Sequence, residues 1–156
     1  MSARTPSVPP LRRAGPADAG AVRALTRLAY AKWVSLIGRE PLPMTADYDR
    51  AVVDHMIDLY EKDGSLLALV EMIAAEDHLL IENLAVHPDQ QGNGLGDLLL
   101  DHARHVAADL GYREIRLYTN AAFTSNIAFY TKRGFSEYAR EAFPRGGELV
   151  RMKRKF

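Results

Sequence analysis

The chain of 156 residues contains no cysteine. That excludes disulfides, thiolate metal sites, redox dithiols and any mechanism that passes a group through a protein thiol. An excess of either charge is also missing. Twenty Lys and Arg face 20 Asp and Glu, so no whole-molecule field draws the chain to nucleic acid or to an anionic membrane. Long apolar runs are absent too: the longest, such as residues 66–70 and 79–81, fall far short of the roughly 20 residues that a membrane span needs. Residues 1–9 include Arg4 and prolines but no stretch like a signal peptide, and are expected to form a flexible tail. These absences favour a cytoplasmic protein without membrane or nucleic-acid partners.

What is present fits one globular domain over residues 10–156, with 47% hydrophobic and 26% charged residues and no internal repeat. Val22, Leu25, Leu28 or Ala29, Trp33 and Leu36 recur every three or four positions, which predicts an amphipathic helix capped by Asp18. Pro41 and Pro43 interrupt the pattern. Tyr48, Val52, His55, Met56 and Leu59 then resume helical spacing after a cap at Thr45 or Asp47. Asp63-Gly64 predicts a hairpin from a short strand near Tyr60 into residues 65–74, and a turn at 75–77 leads to a strand over 79–86. A helix follows, with Leu95, Leu98, Leu99, Ala103, Val106, Ala107 and Leu110 on one side and Gly111 as its C-terminal cap. Residues 114–119 alternate as a strand, Ser125 caps a short helix ending at Gly134, and residues 135–142 and 148–153 form a terminal hairpin. The order is that of an α/β domain with a single mixed, mostly antiparallel sheet flanked by helices.

The run Gln91-Gly92-Asn93-Gly94-Leu95-Gly96 lies between a strand and an amphipathic helix, where exposed backbone N–H groups and the helix dipole favour an anion. Its glycines permit positive φ and a close approach of the backbone to a phosphate. A P-loop is excluded because no Gly-Lys-Ser/Thr ending follows. A Rossmann fingerprint fails as well: counted from Gly92, its sixth place holds the carboxylate of Asp97, although Glu114 stands at about the right distance for a ribose contact. A glycine-rich turn without a ligand is the plain alternative.

Two segments resemble those of the GNAT superfamily of acyl-CoA-dependent N-acetyltransferases. Gln91, Gly94 and Gly96 match its signature of Gln or Arg, two residues, Gly, one residue, then Gly or Ala, after a strand running into His87-Pro88; Asn126, Tyr130 and Gly134-Phe135 match its second block. The resemblance covers residues 65–156 well and residues 10–64 by element order alone. It implies a splayed sheet in which the pantetheine arm of acetyl-CoA lies between the strands at 79–86 and 114–119. The backbone of Leu84, Ala85 and Val86 would hold that arm, and the amides of Gln91, Gly92, Asn93, Gly94, Leu95 and Gly96 the pyrophosphate. The implied reaction moves acetyl from acetyl-CoA directly to a primary amine of a small molecule or peptide in a ternary complex, without a metal. Sheet-edge or hairpin dimers are common among such proteins, so a homodimer is an expectation. Two rivals remain: a non-catalytic acyl-CoA-binding regulatory module, and a nucleotide-binding protein of another fold.

Tyr130 is the candidate acid for the departing thiolate. Asn126 and Tyr130, four residues apart, project from one helix face. A phenol with a reference pKa near 10 hands a proton uphill to a thiolate of reference pKa near 8.5, so its gain lies mainly in orientation; a core aromatic beside Phe129 is the alternative. Glu82, two residues before Leu84, is the base the resemblance implies, or else a strand carboxylate in a hydrogen-bond network. His87 follows as a candidate or as a turn residue, while His55, His78, His102 and His105 lack metal-ligand spacing. A cationic acceptor favours carboxylates and aromatic faces. The resemblance implies an acceptor pocket lined by the loop 39–48 and the hairpin 141–148, which makes Trp33, Asp47, Tyr48, Glu141 and Phe143 the candidates; their bland readings are a core tryptophan, a helix cap and hairpin surface. Arg151 and Lys153 alternate with Val150 and Met152 as the wet side of a strand rather than as a nucleic-acid patch.

Overall fold

The computed structural model describes residues 11–156, and the tail expected over residues 1–9 lies outside them. Seven strands form one sheet: β1 (Arg12–Arg13), β2 (Met56–Lys62), β3 (Ser65–Ala74), β4 (Leu79–Val86), β5 (Glu114–Asn120), β6 (Ser136–Ala142) and β7 (Glu148–Lys155), in the spatial order β1-β2-β3-β4-β5-β7-β6. Of the neighbouring pairs, β4 and β5 alone run parallel. A parallel pair needs a crossover, and α5 (Leu95–Asp109) supplies it. Four helices precede β2: α1 (Ala19–Tyr30), α2 (Val34–Ile37), α3 (Leu42–Thr45) and α4 (Tyr48–Asp54); α6 (Thr124–Lys132) joins β5 to β6.

The sheet is covered on both faces. Ala68, Val70 and Met72 of β3 pack in one layer with Leu99, Ala103 and Ala107 of α5, whereas Leu69 packs in the other with Val22 and Leu25 of α1. This is the alternation that a strand's period of two imposes.

β4 breaks that alternation. Glu71 of β3 pairs with Asn83, but Met72 pairs with Ile81, so Glu82 is an extra residue. Such a bulge reverses the side on which every later side chain falls. Leu79 and Ile81 accordingly belong to the α5 layer, while Ala85 belongs to the α1 layer and Asn83 donates to the Thr26 hydroxyl of α1 at 3.1 Å. At the same point β4 leaves β5: Leu79, Ile81 and the residue between them pair with residues 115–117, and there the ladder ends. β5 stays paired with β7 as far as Asn120. A gap therefore opens beside residues 82–86.

Several sequence expectations are corrected. Met56 and Leu59 lie in β2, because α4 ends at Asp54 and His55 is extended at φ −117°. Ile57 and Leu59 are then fully buried in the α1 layer, and pairing with β3 satisfies the backbone that a longer helix would have used. The first helix stops at Tyr30; Trp33 ends a 3-10 turn, and Leu36 lies in α2, which Gly38 closes at φ 71°. Asp18 does not cap α1 through its side chain. Its carboxylate accepts from the Gly15 N–H at 2.8 Å and pairs with Arg12. Ser125 sits inside α6, whose N-cap position is Phe123. Among the described residues no helix is long and apolar enough to cross a membrane.

Candidate active site

Below the gap the chain after β4 turns through a short 3-10 segment, Pro88–Gln90, where the His87 ring accepts from the Asp89 N–H at 3.1 Å. Gly92 and Gly94 take φ of 87° and 83°, a region closed to most side chains. The turn consumes two amides: Gln91 donates to the Pro88 carbonyl and Asn93 to that of Gln90. The N–H groups of Gly92, Gly94, Leu95 and Gly96 have no acceptor among the described residues. They stand at the N-terminus of the 15-residue α5, with its partial positive charge.

Gly96 is needed for a different reason. A Cβ there would lie 2.7 Å from the Phe129 ζ carbon, so the missing side chain lets α5 pack against α6. Asp97, the residue at odds with a dinucleotide fingerprint, is held by the Arg133 guanidinium, which lowers its pKa. Gln91 ties the loop to the 3-10 turn that follows α1 and to β4: its Oε1 accepts from Lys32 at 3.1 Å, and its Nε2 donates to the Val86 carbonyl at 3.3 Å.

A cavity of about 230 Å³ lies above this loop, bounded by Gln91, Gly92, Gly96, Leu84, Val86 and, from α6, Asn126, Phe129 and Tyr130. Ala85 faces the α1 layer instead. A narrower cavity of about 60 Å³ continues between the splayed strands, lined by Glu82, Leu84, Tyr118, Asn120, Phe123 and Phe143. Tyr30, Leu84, Asn126 and Tyr130 border both. The Tyr130 hydroxyl has no hydrogen-bond partner among the described residues, and burial pushes its pKa up to about 12. Desolvation likewise raises Tyr30, whose hydroxyl faces the Leu84 amide.

Glu82 reaches the narrow cavity because the bulge re-aims it. Its Oε1 accepts from the Tyr118 hydroxyl. Desolvation first, then the hydrogen bond to Glu82, keeps the Tyr118 phenol protonated far into the alkaline range. Across the mouth, Arg39 donates to the carbonyls of Arg145 (2.9 Å) and Gly146 (3.1 Å) and lies over the Phe143 ring. The segment before α3 is thereby fastened to the β6–β7 hairpin.

The other expected site residues separate. Trp33 stacks on Phe123 at 4.3 Å and lines the larger cavity, beside the loop rather than at the narrow end. Phe143 is at the narrow end. Tyr48 and Asp47 border a third cavity, with the Tyr48 hydroxyl donating to the Pro43 carbonyl at 2.6 Å and the Asp47 carboxylate accepting from the Arg50 N–H. Glu141 pairs with Arg151 on the hairpin, 2.6 Å apart, and lines none of these cavities. Glu114 is paired with Arg116 at 2.5 Å. His102 serves the buried Asp58 at 2.7 Å, and among the described residues no group of three or more His, Asp or Glu is placed to hold a metal. Sequence reasoning missed Tyr30, Lys32, Arg39 and Tyr118. Tyr118 alternates with apolar neighbours on its strand and was legible as a side chain on the Glu82 side; the others lie where helical periodicity runs out.

Comparison with known proteins agrees with this geometry. The model of the acetyltransferase (GNAT) family matches residues 22–135, more than half of the chain. The chain is 29% identical over 92 residues to the amino-acid acetyltransferase of Vibrio atlanticus (strain LGP32), covering 58% of this chain and 20% of that protein. It is 40% identical over 57 residues to the mycothiol acetyltransferase of Tsukamurella paurometabola, covering 36% and 20%. The chain thus spans about a fifth of the length of these curated relatives. Its fold is similar to that of the PaiA N-acetyltransferase from Thermoplasma acidophilum, solved in complex with coenzyme A: TM-score 0.81, 19% identity, 94% of this chain and 98% of that one.

Proposed function

The chain belongs to the GNAT family of acetyltransferases, and on that premise we propose that it moves acetyl from acetyl-CoA directly to a primary amine. The observation that carries this reading is the continuity of the site. Four unpaired amides at the start of α5 open into a cavity that runs between the splayed β4 and β5 to Tyr130 and Glu82. The residues present fit acetyl-CoA as co-substrate. The amides of Gly92, Gly94, Leu95 and Gly96 suit its pyrophosphate, with Lys32 adding a positive charge beside them. The edge of β4 freed beyond Ile81 offers main-chain groups to the pantetheine amides.

The acceptor nitrogen attacks as the neutral amine, so a proton must leave its ammonium form first. Glu82 takes it, its carboxylate oriented by Tyr118. A bond forms between nitrogen and the acyl carbon, the nitrogen sheds its second proton to solvent, the carbon–sulfur bond breaks, and the sulfur leaves with a proton from Tyr130, which regains one from solvent while Glu82 returns its own there. The raised pKa keeps Tyr130 protonated but makes it a weaker acid. Its contribution is therefore mostly a directed hydrogen bond to the departing sulfur. The absence of cysteine accords with direct transfer. It also accords with a cytoplasmic setting, and the exposed edge strand β6 with a homodimer.

Release of free CoA thiol from acetyl-CoA across a panel of amines tests the proposal. Amine-dependent release is expected; binding of acetyl-CoA with no amine turned over would instead favour a regulatory acyl-CoA-binding module.

A further inference from the structure

Asp97 is a charged residue beside the glycine loop that the proposed reaction does not use. It is the third residue of α5, whose N-cap position is Gly94. An acid in that place ordinarily turns back toward the helix start, where it accepts from the free N-cap amide or rests in the positive end of the dipole. In this chain that end is the anion site, with the amides of Gly92, Gly94, Leu95 and Gly96 open. A carboxylate within the first turn is therefore a rival for the same donors, and it repels a diphosphate as well.

Arg133, at the end of α6, holds that carboxylate away from the loop. Asp97 Oδ1 accepts from its Nε, and Oδ2 from one terminal nitrogen at 2.9 Å. The other terminal nitrogen donates to the Phe129 carbonyl at 2.9 Å, and the guanidinium carbon lies 3.7 Å from the centre of the Phe129 ring. Phe129 is fixed in turn, because its ring fills the space that a Gly96 side chain would take, and it lines the larger cavity. The planar guanidinium is thus locked in place, with a fork that matches a carboxylate as an ammonium could not. The Asp97 side chain is 57% exposed, so the pair adds little to stability. Its consequence is where it points the acid.

We infer that Arg133 is a positioning residue for the cofactor: by gripping Asp97 it withdraws a built-in competitor from the loop that takes the acetyl-CoA pyrophosphate. This rests on the acetyltransferase reading above. Arg133 acts through Asp97 and not by contact with the cofactor. Removing Arg133 alone releases the acid onto the loop, whereas removing both charges leaves the amides as open as before.

Calorimetric titration with acetyl-CoA tests this in Arg133→Gln, in Asp97→Asn and in the double variant. Arg133→Gln is expected to weaken binding at least about fivefold, the scale of one charge at a helix end, and to raise the KM for acetyl-CoA with kcat unchanged. The loss is expected to shrink in about 1 M salt, where the Debye length is about 3 Å. Adding Asp97→Asn to Arg133→Gln is expected to restore the affinity of the parent. Affinity that stays low in the double variant overturns the inference, since Arg133 would then touch the cofactor or merely pack Phe129. An Arg133→Gln variant that binds like the parent overturns it too. Should Arg133→Gln fail to unfold cooperatively in urea, Asp97→Asn alone decides: tighter binding than the parent upholds the inference, and equal or weaker binding overturns it. If the parent binds no acetyl-CoA, the acetyltransferase reading fails on its own, and inorganic pyrophosphate then probes the loop. Binding lost in Arg133→Gln and regained in the double variant upholds the inference; any other pattern overturns it.

Discussion

The two halves of β4 are continuous in sequence and opposite in use. Residues 79–81 are hydrogen-bonded to β3 on one side and β5 on the other, and Leu79 and Ile81 are buried under α5. Residues 83–86 keep β3 but lose β5, and Glu82, Asn83, Leu84 and Val86 border cavities. One inserted residue separates the part of the strand that is packed on both sides from the part that borders the cavities. The bulge turns Glu82 and Asn83 toward the cavities, and the splay frees main-chain groups that a continuous ladder would have consumed.

The sharpest way to break this contrast is to delete Glu82. Asn83 would then follow Ile81 directly, the ladder to β3 would become regular, and Asn83, Leu84, Ala85 and Val86 would keep their layers, while the carboxylate is lost from the narrow cavity. Cooperative unfolding in urea is expected to persist while amine-dependent release of CoA thiol falls by more than about a hundredfold; turnover like the parent's would disprove the role given to the bulge. Ile81→Ala probes the paired half. With Ile81 3% exposed, the loss is expected at about 2–5 kcal/mol by urea titration, and larger than that of Leu84→Ala in the open half.

Tyr130→Phe bears on chemistry rather than folding. A fall in kcat of about a hundredfold is expected, with acetyl-CoA affinity by calorimetry unchanged. A comparable loss of affinity would make Tyr130 a packing residue only. The smallest effect is an absence. Burial raises the Tyr130 pKa to about 12, so the protonated form it must supply persists where an exposed phenol would already ionise, near pH 10. Wild-type kcat is expected to stay level between about pH 8 and pH 10. A fall there that disappears in Tyr130→Phe would contradict the assignment.

Legibility followed the same divide. The strand at 79–86 and the glycine loop were readable because Gly92 and Gly94 carry a conformational demand that few other residues meet. The hairpin at Asp63-Gly64 was readable for the same reason, with both residues at positive φ. The bulge was not, since a strand buried on both faces shows apolar residues at every parity and hides a one-residue slip. The boundary at His55 was equally silent: Met56 and Leu59 fit the helical period by coincidence, and no glycine or proline marks the switch to β2. The narrow end of the cleft depends on long-range placement, with Glu82 and Tyr118 drawn together from two strands. Spacing along the chain carries no trace of that.

The most direct measurement is the change in backbone amide NMR shifts on adding acetyl-CoA. The largest changes are expected at residues 82–86 and at Gly92, Gly94, Leu95 and Gly96, with little at residues 79–81. Changes confined to other parts of the sheet, or none at saturating acetyl-CoA, would contradict the assignment of the splayed strands as the binding cleft.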